Sequence, residues 1–194
     1  MKNDELIWFL FDFDDVITSG YRKGNKNVYT FIEILTIRKN EKLTFQESCH
    51  KLGLHPDTMA QLYAESALPN LKIRPILRLF SLWKRIGKPY RCGIASNNSD
   101  YLIYHWLKFH KLENPFSRIF TPEKFNWVRK PDREYFTKCI ESLNVNPEQI
   151  IFYDDDSTSV DIAGKMGINA YLYHRFDHFQ EIDQYIKKDL HVRR

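Results

Sequence analysis

The stretch Leu6-Ile7-Trp8-Phe9-Leu10-Phe11-Asp12-Phe13-Asp14-Asp15-Val16-Ile17-Thr18 decides the fold of this 194-residue chain. Six consecutive apolar residues run directly into three carboxylates within four positions. An uninterrupted apolar run of this length is typical of a strand buried on both faces of a sheet. Ligands bind at the carboxyl ends of strands in open α/β sheets, and clustered carboxylates need a cation to offset their repulsion. The stretch therefore predicts a cation-dependent site at the end of a buried strand.

The composition is that of an ordinary globular protein. Hydrophobic residues make up 43% of the chain, and a net charge of +4 is too small to indicate nucleic-acid binding by itself. The apolar run of residues 6–11 is too short for a membrane span, and the acidic residues before it do not form a signal peptide. Three widely separated cysteines favour a reducing compartment. Their spacing does not match that of a structural zinc site. We expect a soluble cytoplasmic protein without a nucleic-acid or membrane partner; its oligomeric state stays open.

Residues 18–72 predict an all-helical insertion that contains no strand. A polar, glycine-punctuated loop at 19–27 opens it. The basic side chains of this loop are either solvated or turned toward an anionic substrate. They are Arg22, Lys23 and Lys26.

Three helices are expected inside the insertion. Apolar residues recur at spacings of three and four from Val28 to about Asn40, which predicts the first helix. A capping box at 44–47 opens the second. Asp57 is the expected N-cap of the third helix, over 59–67.

From residue 74 onward, helices and strands alternate. This alternation implies parallel strands joined by right-handed crossovers, and therefore a doubly wound α/β sheet. The expected strands are 90–95, 116–120, 150–153 and 170–173, and the expected helices are 74–86, 100–107, 132–143, 158–166 and 179–190.

Polar and charged side chains follow three of the predicted strands and precede one helix. In a doubly wound sheet these ends can converge on one crevice. Hard oxygen ligands suit Mg²⁺ better than zinc, and a lysine with hydroxyl and amide donors suits a phosphate. The candidate site residues at these ends are Asp12, Asp14, Ser96, Asn97, Lys130, Asp154 and Asp155.

Four segments resemble, in order, the four motifs of the haloacid dehalogenase-like hydrolases. They are Asp12-Phe13-Asp14-Asp15-Val16-Ile17, Ile94-Ala95-Ser96-Asn97, Lys130-Pro131-Asp132 and Phe152-Tyr153-Asp154-Asp155. The helical insertion lies between the first and second motifs, where this family carries its C1-type cap. The resemblance implies a Rossmann-like core over 1–17 and 73–194 with a small helical cap over 18–72. Residues 129–167 most resemble the small sugar-phosphate phosphatases of the family.

The resemblance also implies a role for each motif residue. Asp12 would be the nucleophile that forms an aspartyl-phosphate, and Asp14 would act as acid and then base. Mg²⁺ would be held by the side chain of Asp12, the backbone carbonyl of Asp14, and Asp154 and Asp155. The residues that would bind the phosphoryl group are Ser96, Asn97 and Lys130.

The second aspartate favours one reaction of the superfamily. Dehalogenase members carry no acid two residues after the nucleophile, so Asp14 indicates phosphoryl transfer. We expect a Mg²⁺-dependent phosphatase acting on a small phosphorylated metabolite, either a sugar phosphate or a nucleotide-like phosphomonoester. A phosphomutase of the same fold and a non-catalytic phosphate-binding or regulatory protein are the alternatives. The chain departs from the family at Asp15, where glycine is usual in the tight turn; aspartate tolerates unusual backbone angles better than most residues.

Overall fold

A computed structural model of the chain describes residues 6–21, 28–174 and 179–191. The basic side chains of Arg22, Lys23 and Lys26 lie outside these residues. Within the described part of the chain, no helix is both long enough and apolar enough to cross a membrane.

The described elements alternate between strand and helix over most of the chain. The strands are β1 (Ile7–Phe11), β2 (Thr18–Tyr21), β3 (Ala67–Pro69), β4 (Tyr90–Ala95), β5 (Phe116–Phe120), β6 (Ile150–Asp154) and β7 (Asn169–Leu172). The helices are α1 (Val28–Glu41), α2 (Phe45–Lys51), α3 (Pro56–Ser66), α4 (Ile73–Arg85), α5 (Asp100–Phe109), α6 (Arg133–Leu143), α7 (Ser157–Lys165) and α8 (Gln180–His191).

The strand β1 lies at the centre of a five-stranded sheet with the order β5-β4-β1-β6-β7. Every neighbouring pair in this sheet is parallel. Side chains of β1 alternate between the two faces: Phe9 and Phe11 belong to one hydrophobic cluster, and Trp8 and Leu10 belong to the other. The predicted burial of this strand on both faces is confirmed.

Helices cover both faces of the sheet. Phe80 of α4, Trp106 of α5 and Ile182 of α8 pack in the cluster that contains Phe9. Tyr135 of α6 and Ala163 of α7 pack in the opposite cluster. This arrangement confirms the doubly wound, Rossmann-like α/β fold.

The helices α1, α2 and α3 share the hydrophobic core on the Phe9 face of the sheet. Phe31, Phe45 and Tyr63, one from each helix, are buried in that cluster. The predicted capping box is present at the start of α2, where Thr44 and Glu47 bond reciprocally. The insertion boundaries at residues 18 and 72 stay a prediction.

The expectation that residues 18–72 contain no strand is wrong. β2 and β3 pair in an antiparallel fashion, with Thr18 opposite Pro69 and Tyr21 opposite Ala67. Neither segment has the length or the alternation that marks a strand in sequence. Their pairing follows from the meeting of the two ends of the insertion, where backbone groups satisfy one another.

The predicted start of α3 is also wrong. The helix begins at Pro56, with His55 rather than Asp57 as the N-cap. Proline suits the first helical position because its fixed φ is already helical and its missing N–H would have no partner there. Asp57 lies in the first turn, where its carboxylate accepts a hydrogen bond from the hydroxyl of Tyr101.

Candidate active site

The carboxyl ends of three neighbouring strands bring the first predicted site residues together. Asp12 follows β1, and its backbone N–H donates to the carbonyl of Tyr153 on β6 at 2.8 Å. Ser96 follows β4, and Asp154 is the last residue of β6. Because these strands are adjacent and parallel, all three residues lie at one edge of the sheet.

Lys130 lies between two of these carboxylates. Its Nζ is 2.8 Å from Oδ1 of Asp12 and 2.5 Å from Oδ2 of Asp154. Burial alone would lower the pKa of the ammonium, but the two carboxylates outweigh burial and raise that pKa above its ordinary value. Lys130 is therefore a fixed cation at the predicted nucleophile.

Three carboxylates at this edge fit a divalent cation. Asp12, Asp154 and Asp155 each offer an oxygen, and these oxygens lie within 4.8 Å of one another. Burial, followed by the negative charges of Asp12 and Asp15, raises the pKa of Asp155. Hard carboxylate ligands and mutual repulsion that a cation would relieve suit Mg²⁺. The side chain of Asp14 is not in this group, and its predicted contribution through the backbone carbonyl stays a prediction.

Asp14 has different partners from Asp12. Its Oδ1 accepts a 3.0 Å hydrogen bond from the hydroxyl of Tyr63, and its Oδ2 accepts one of 3.0 Å from Nδ2 of Asn98. Burial and then the charge of Asp12 raise the pKa of Asp14 to about 7, although both hydrogen bonds oppose the rise. This carboxyl can therefore both give and take a proton near neutral pH.

Asp15 occupies the turn in the conformation that glycine favours. Its φ is +56°, its side chain is exposed, and its N–H donates to Oγ1 of Thr18 at 3.2 Å. The expectation of an unusual backbone angle at this position is confirmed.

Ser96 and Asn97 contribute in different ways. The hydroxyl of Ser96 accepts from the N–H of Asn98 at 3.0 Å, so its own hydrogen is available for donation. The carboxamide of Asn97 bonds the backbone of Lys130 twice, accepting from its N–H and donating to its carbonyl, both at 2.9 Å. Asn97 therefore positions the loop that carries Lys130, and its predicted contact with the phosphoryl group stays a prediction.

Sequence reasoning missed several residues around this site. Arg38 of α1 is buried, with Nη2 only 2.6 Å from Oε2 of Glu123. Its Nη1 and Nη2 also donate to the carbonyls of Asn97 and Asn98, at 3.1 and 3.2 Å. Asn98 directly follows a predicted motif and could have been found there. Tyr63 could not have been found from the sequence, because it falls on the apolar face of α3, where a core residue is expected.

A cleft of about 270 Å³ opens beside Asp14. Residues from α1, from both ends of the insertion and from the loops at the carboxyl edge of the sheet line it. They are Asp14, Asp15, Thr18, Leu35, Arg38, Ala67, Asn97, Asn98 and Arg129.

The sequence model of the family described as haloacid dehalogenase-like hydrolase matches residues 20–172, well over half of the chain. The chain belongs to the haloacid dehalogenase-like hydrolase family. Because the match begins after Asp12 and Asp14, the assignment of these two residues rests on the geometry of the site.

One curated relative is a dehalogenase. It is the (S)-2-haloacid dehalogenase 4A of Burkholderia cepacia, which is 27% identical over 81 residues. The matched segment spans 42% of this chain but only 35% of that relative's length.

Solved structures with the same fold include a HAD family enzyme bound to magnesium and phosphate and a haloacid dehalogenase. A HAD family enzyme of Bacteroides thetaiotaomicron, in complex with magnesium and inorganic phosphate, is 16% identical with a TM-score of 0.64, over 91% of this chain and 98% of that one. An L-2-haloacid dehalogenase of Xanthobacter autotrophicus with chloropropionic acid covalently bound is 15% identical with a TM-score of 0.54, over 84% and 75%. Identities this low establish a common fold and leave the reaction to be argued from the site.

Proposed function

We propose that this protein is a Mg²⁺-dependent phosphatase that hydrolyses a small phosphomonoester through an aspartyl-phosphate at Asp12. One observation carries the proposal: Asp14, two residues after the nucleophile, is a carboxyl held by hydrogen bonds from Tyr63 and Asn98 beside the cleft. Burial, and then the charge of Asp12, raises its pKa to about 7. An alcohol leaving from phosphorus needs a proton, which such a carboxyl can supply. A halide leaving from carbon needs none.

The first step transfers the phosphoryl group to the protein. Lys130 orients the Asp12 carboxylate through their 2.8 Å contact. An oxygen of Asp12 attacks phosphorus, and the bond from phosphorus to the leaving oxygen breaks. Asp14 donates its proton to that oxygen, so the substrate departs as a neutral alcohol.

The second step regenerates Asp12. Asp14, now a carboxylate, takes a proton from a water molecule whose oxygen attacks phosphorus. The bond between phosphorus and Asp12 breaks, which releases inorganic phosphate. Asp14 is protonated again and ready for the next cycle.

The remaining residues hold the phosphoryl group during both steps. The hydroxyl of Ser96 and the ammonium of Lys130 would donate hydrogen bonds to the phosphoryl oxygens. Asp12, Asp154 and Asp155, with the backbone carbonyl of Asp14, would hold the metal ion. When bound, Mg²⁺ neutralises charge on the phosphoryl oxygens. The Bacteroides structure, with its magnesium and inorganic phosphate, supports this assignment.

A 2-haloacid dehalogenase is the second candidate, because both the Burkholderia relative and the Xanthobacter structure carry that activity. In that reaction Asp12 would displace a halide from carbon. Nothing in such a displacement uses the three-carboxylate cluster or a proton donor at Asp14.

One experiment separates these two functions. Purified protein is incubated with a panel of phosphomonoesters and, in parallel, with 2-haloacids, in Mg²⁺ or in chelator. We expect phosphate release that requires Mg²⁺, no halide release, and loss of turnover in Asp12→Asn. Halide release that persists in chelator, without phosphate release from any ester, would overturn the proposal in favour of dehalogenation.

A further inference from the structure

We propose that the cleft beside Asp14 binds a second anionic group carried by the leaving part of the substrate, and that Arg129 is its partner. This inference rests on the proposed phosphatase function and narrows its substrates to phosphomonoesters that bear a carboxylate or a second phosphate.

The position of the cleft follows from the chemistry. The leaving oxygen must come within hydrogen-bonding distance of Asp14, because that residue supplies its proton. Asp14, Asn97 and Asn98 all line the cleft, so the part of the substrate beyond this oxygen extends into it. Two arginines, Arg38 and Arg129, line the same cleft.

Arg38 is already neutralised by the protein. Its ion pair with Glu123 and its bonds to the carbonyls of Asn97 and Asn98 occupy Nε, Nη1 and Nη2. Its guanidinium also lies 5.4 Å from the ring centroid of Trp127. Arg38 therefore lines the cleft, but Glu123 already balances its charge, so Arg38 is a weak partner for an anionic ligand.

Arg129 is not neutralised in this way. Its Nη2 donates to the carbonyl of Asn97 at 3.3 Å, which is a neutral acceptor. Its Nη1 is buried and has no hydrogen-bond partner among the described residues. A buried cationic N–H without an acceptor is unfavourable, so an anionic ligand at Nη1 would satisfy it.

The burial of Arg129 and the nearby positive charge of Arg38 further destabilise the charged guanidinium of Arg129. Both lower the pKa of Arg129, although the negative charge of Glu123 partly opposes them. Two carboxyls also line the cleft, but Asp14 is already held by hydrogen bonds from Tyr63 and Asn98. Asp15 is exposed, where water screens its charge. Among the residues that line the cleft, Arg129 is therefore the cation without an ion-pair partner.

The shape of the guanidinium decides the class of ligand. Its planar fork matches the paired oxygens of a carboxylate or a phosphate, which it can bind through two parallel hydrogen bonds. A neutral hydroxyl could accept one bond but would leave the charge unbalanced.

Matched substrate pairs test this inference. One pair is phosphoglycolate and ethyl phosphate, which differ in a carboxylate; the other is 1,3-propanediol bisphosphate and propyl phosphate, which differ in a second phosphate. The measurement is kcat/KM for each ester with the wild type, with Arg129→Gln and with Arg133→Gln. Arg133 is an exposed arginine outside the cleft, so its variant removes the same charge nearby.

We expect the wild type and Arg133→Gln to prefer the charged member of at least one pair by about tenfold or more, mainly through KM. The preference should fall to near unity in Arg129→Gln. Each preference is the ratio of kcat/KM for two substrates measured on the same variant. A smaller fraction of folded protein lowers both values equally and leaves the ratio unchanged. Arg129→Lys keeps the charge without the fork and should retain an intermediate preference. The pair that shows the preference identifies the anionic group.

Two results overturn the inference while leaving the phosphatase function intact. One is equal hydrolysis of charged and neutral esters by the wild type. The other is a preference that survives in Arg129→Gln. Absence of phosphate release from every ester would instead overturn the proposed function, and this inference with it.

Discussion

The hydroxyl of Tyr63 donates a 3.0 Å hydrogen bond to Oδ1 of Asp14. Tyr63 lies on α3, in the helical insertion, whereas Asp14 lies in the turn after the central strand β1. The same hydroxyl accepts a hydrogen bond from Nδ2 of Asn98, which also bonds Asp14. A residue of α3 therefore contacts the proposed acid–base group directly. The position of α3 affects the orientation of the Asp14 carboxyl.

Tyr63→Phe removes this donor and keeps the aromatic ring that packs against Phe31. A hydrogen bond to a charged group contributes about 1.5 kcal/mol or more, which corresponds to about tenfold in rate. We expect kcat for a phosphomonoester to fall by about that factor, with KM nearly unchanged. Tyr29→Phe is the matched control, because Tyr29 is 85% exposed on α1. Full activity in Tyr63→Phe would contradict the role assigned to this bond.

The ion pair of Arg38 and Glu123 joins α1 to the loop after β5, with side chains that are 1% and 11% exposed. Removing one member leaves the other as a buried charge without a counter-ion, which costs about 3–5 kcal/mol. We expect Arg38→Met and Glu123→Gln each to lower the free energy of unfolding by about this amount in urea titrations. The double variant should lose much less than the sum. Additive losses would show that the two residues do not interact.

The turn at Asp15 gives a prediction that does not depend on activity. A φ of +56° strains most side chains by about 1–2 kcal/mol, and a β-branched one most of all. Asp15→Val should lower the free energy of unfolding by about that amount. Asp15→Gly and Asp15→Asn should change it by less than about 1 kcal/mol. Equal stability of the valine and glycine variants would contradict the left-handed turn.

The three cysteines give a test of the core. All three are buried, and burial raises the pKa of Cys49 to about 11 and those of Cys92 and Cys139 further. Because the thiolate is the reactive form, we expect the native protein to resist a thiol reagent at neutral pH. Unfolding in urea should expose all three thiols to the same reagent. Fast labelling of the native protein would contradict the packing described here.

The sequence predicts the parts of this structure that depend on local pattern. The apolar run of residues 6–11 indicates a strand buried on both faces, and the positions of Ser96, Lys130 and Asp154 at element ends indicate one shared edge. The β2–β3 pair is not predictable in this way, because it depends on two chain segments about fifty residues apart meeting at the base of the insertion. Tyr63 and Arg38 are missed for a related reason. Their polar atoms reach the site only through the packing of α3 and α1 on the core, which helical spacing does not reveal.

The proposed mechanism requires a covalent phosphoryl group on Asp12, and the Asp14→Ala variant should allow this intermediate to be detected. An aryl phosphate has a leaving group that needs little protonation, so this variant should still form the aspartyl-phosphate. Without Asp14 as base, hydrolysis of that intermediate should be slow. Asp14→Ala is mixed with p-nitrophenyl phosphate and Mg²⁺, quenched in acid and digested, and the peptide that contains Asp12 is analysed by mass spectrometry. We expect a stoichiometric burst of nitrophenol and a phosphoryl adduct on Asp12. Steady release of phosphate without an adduct, or an adduct on another residue, would contradict the proposed mechanism.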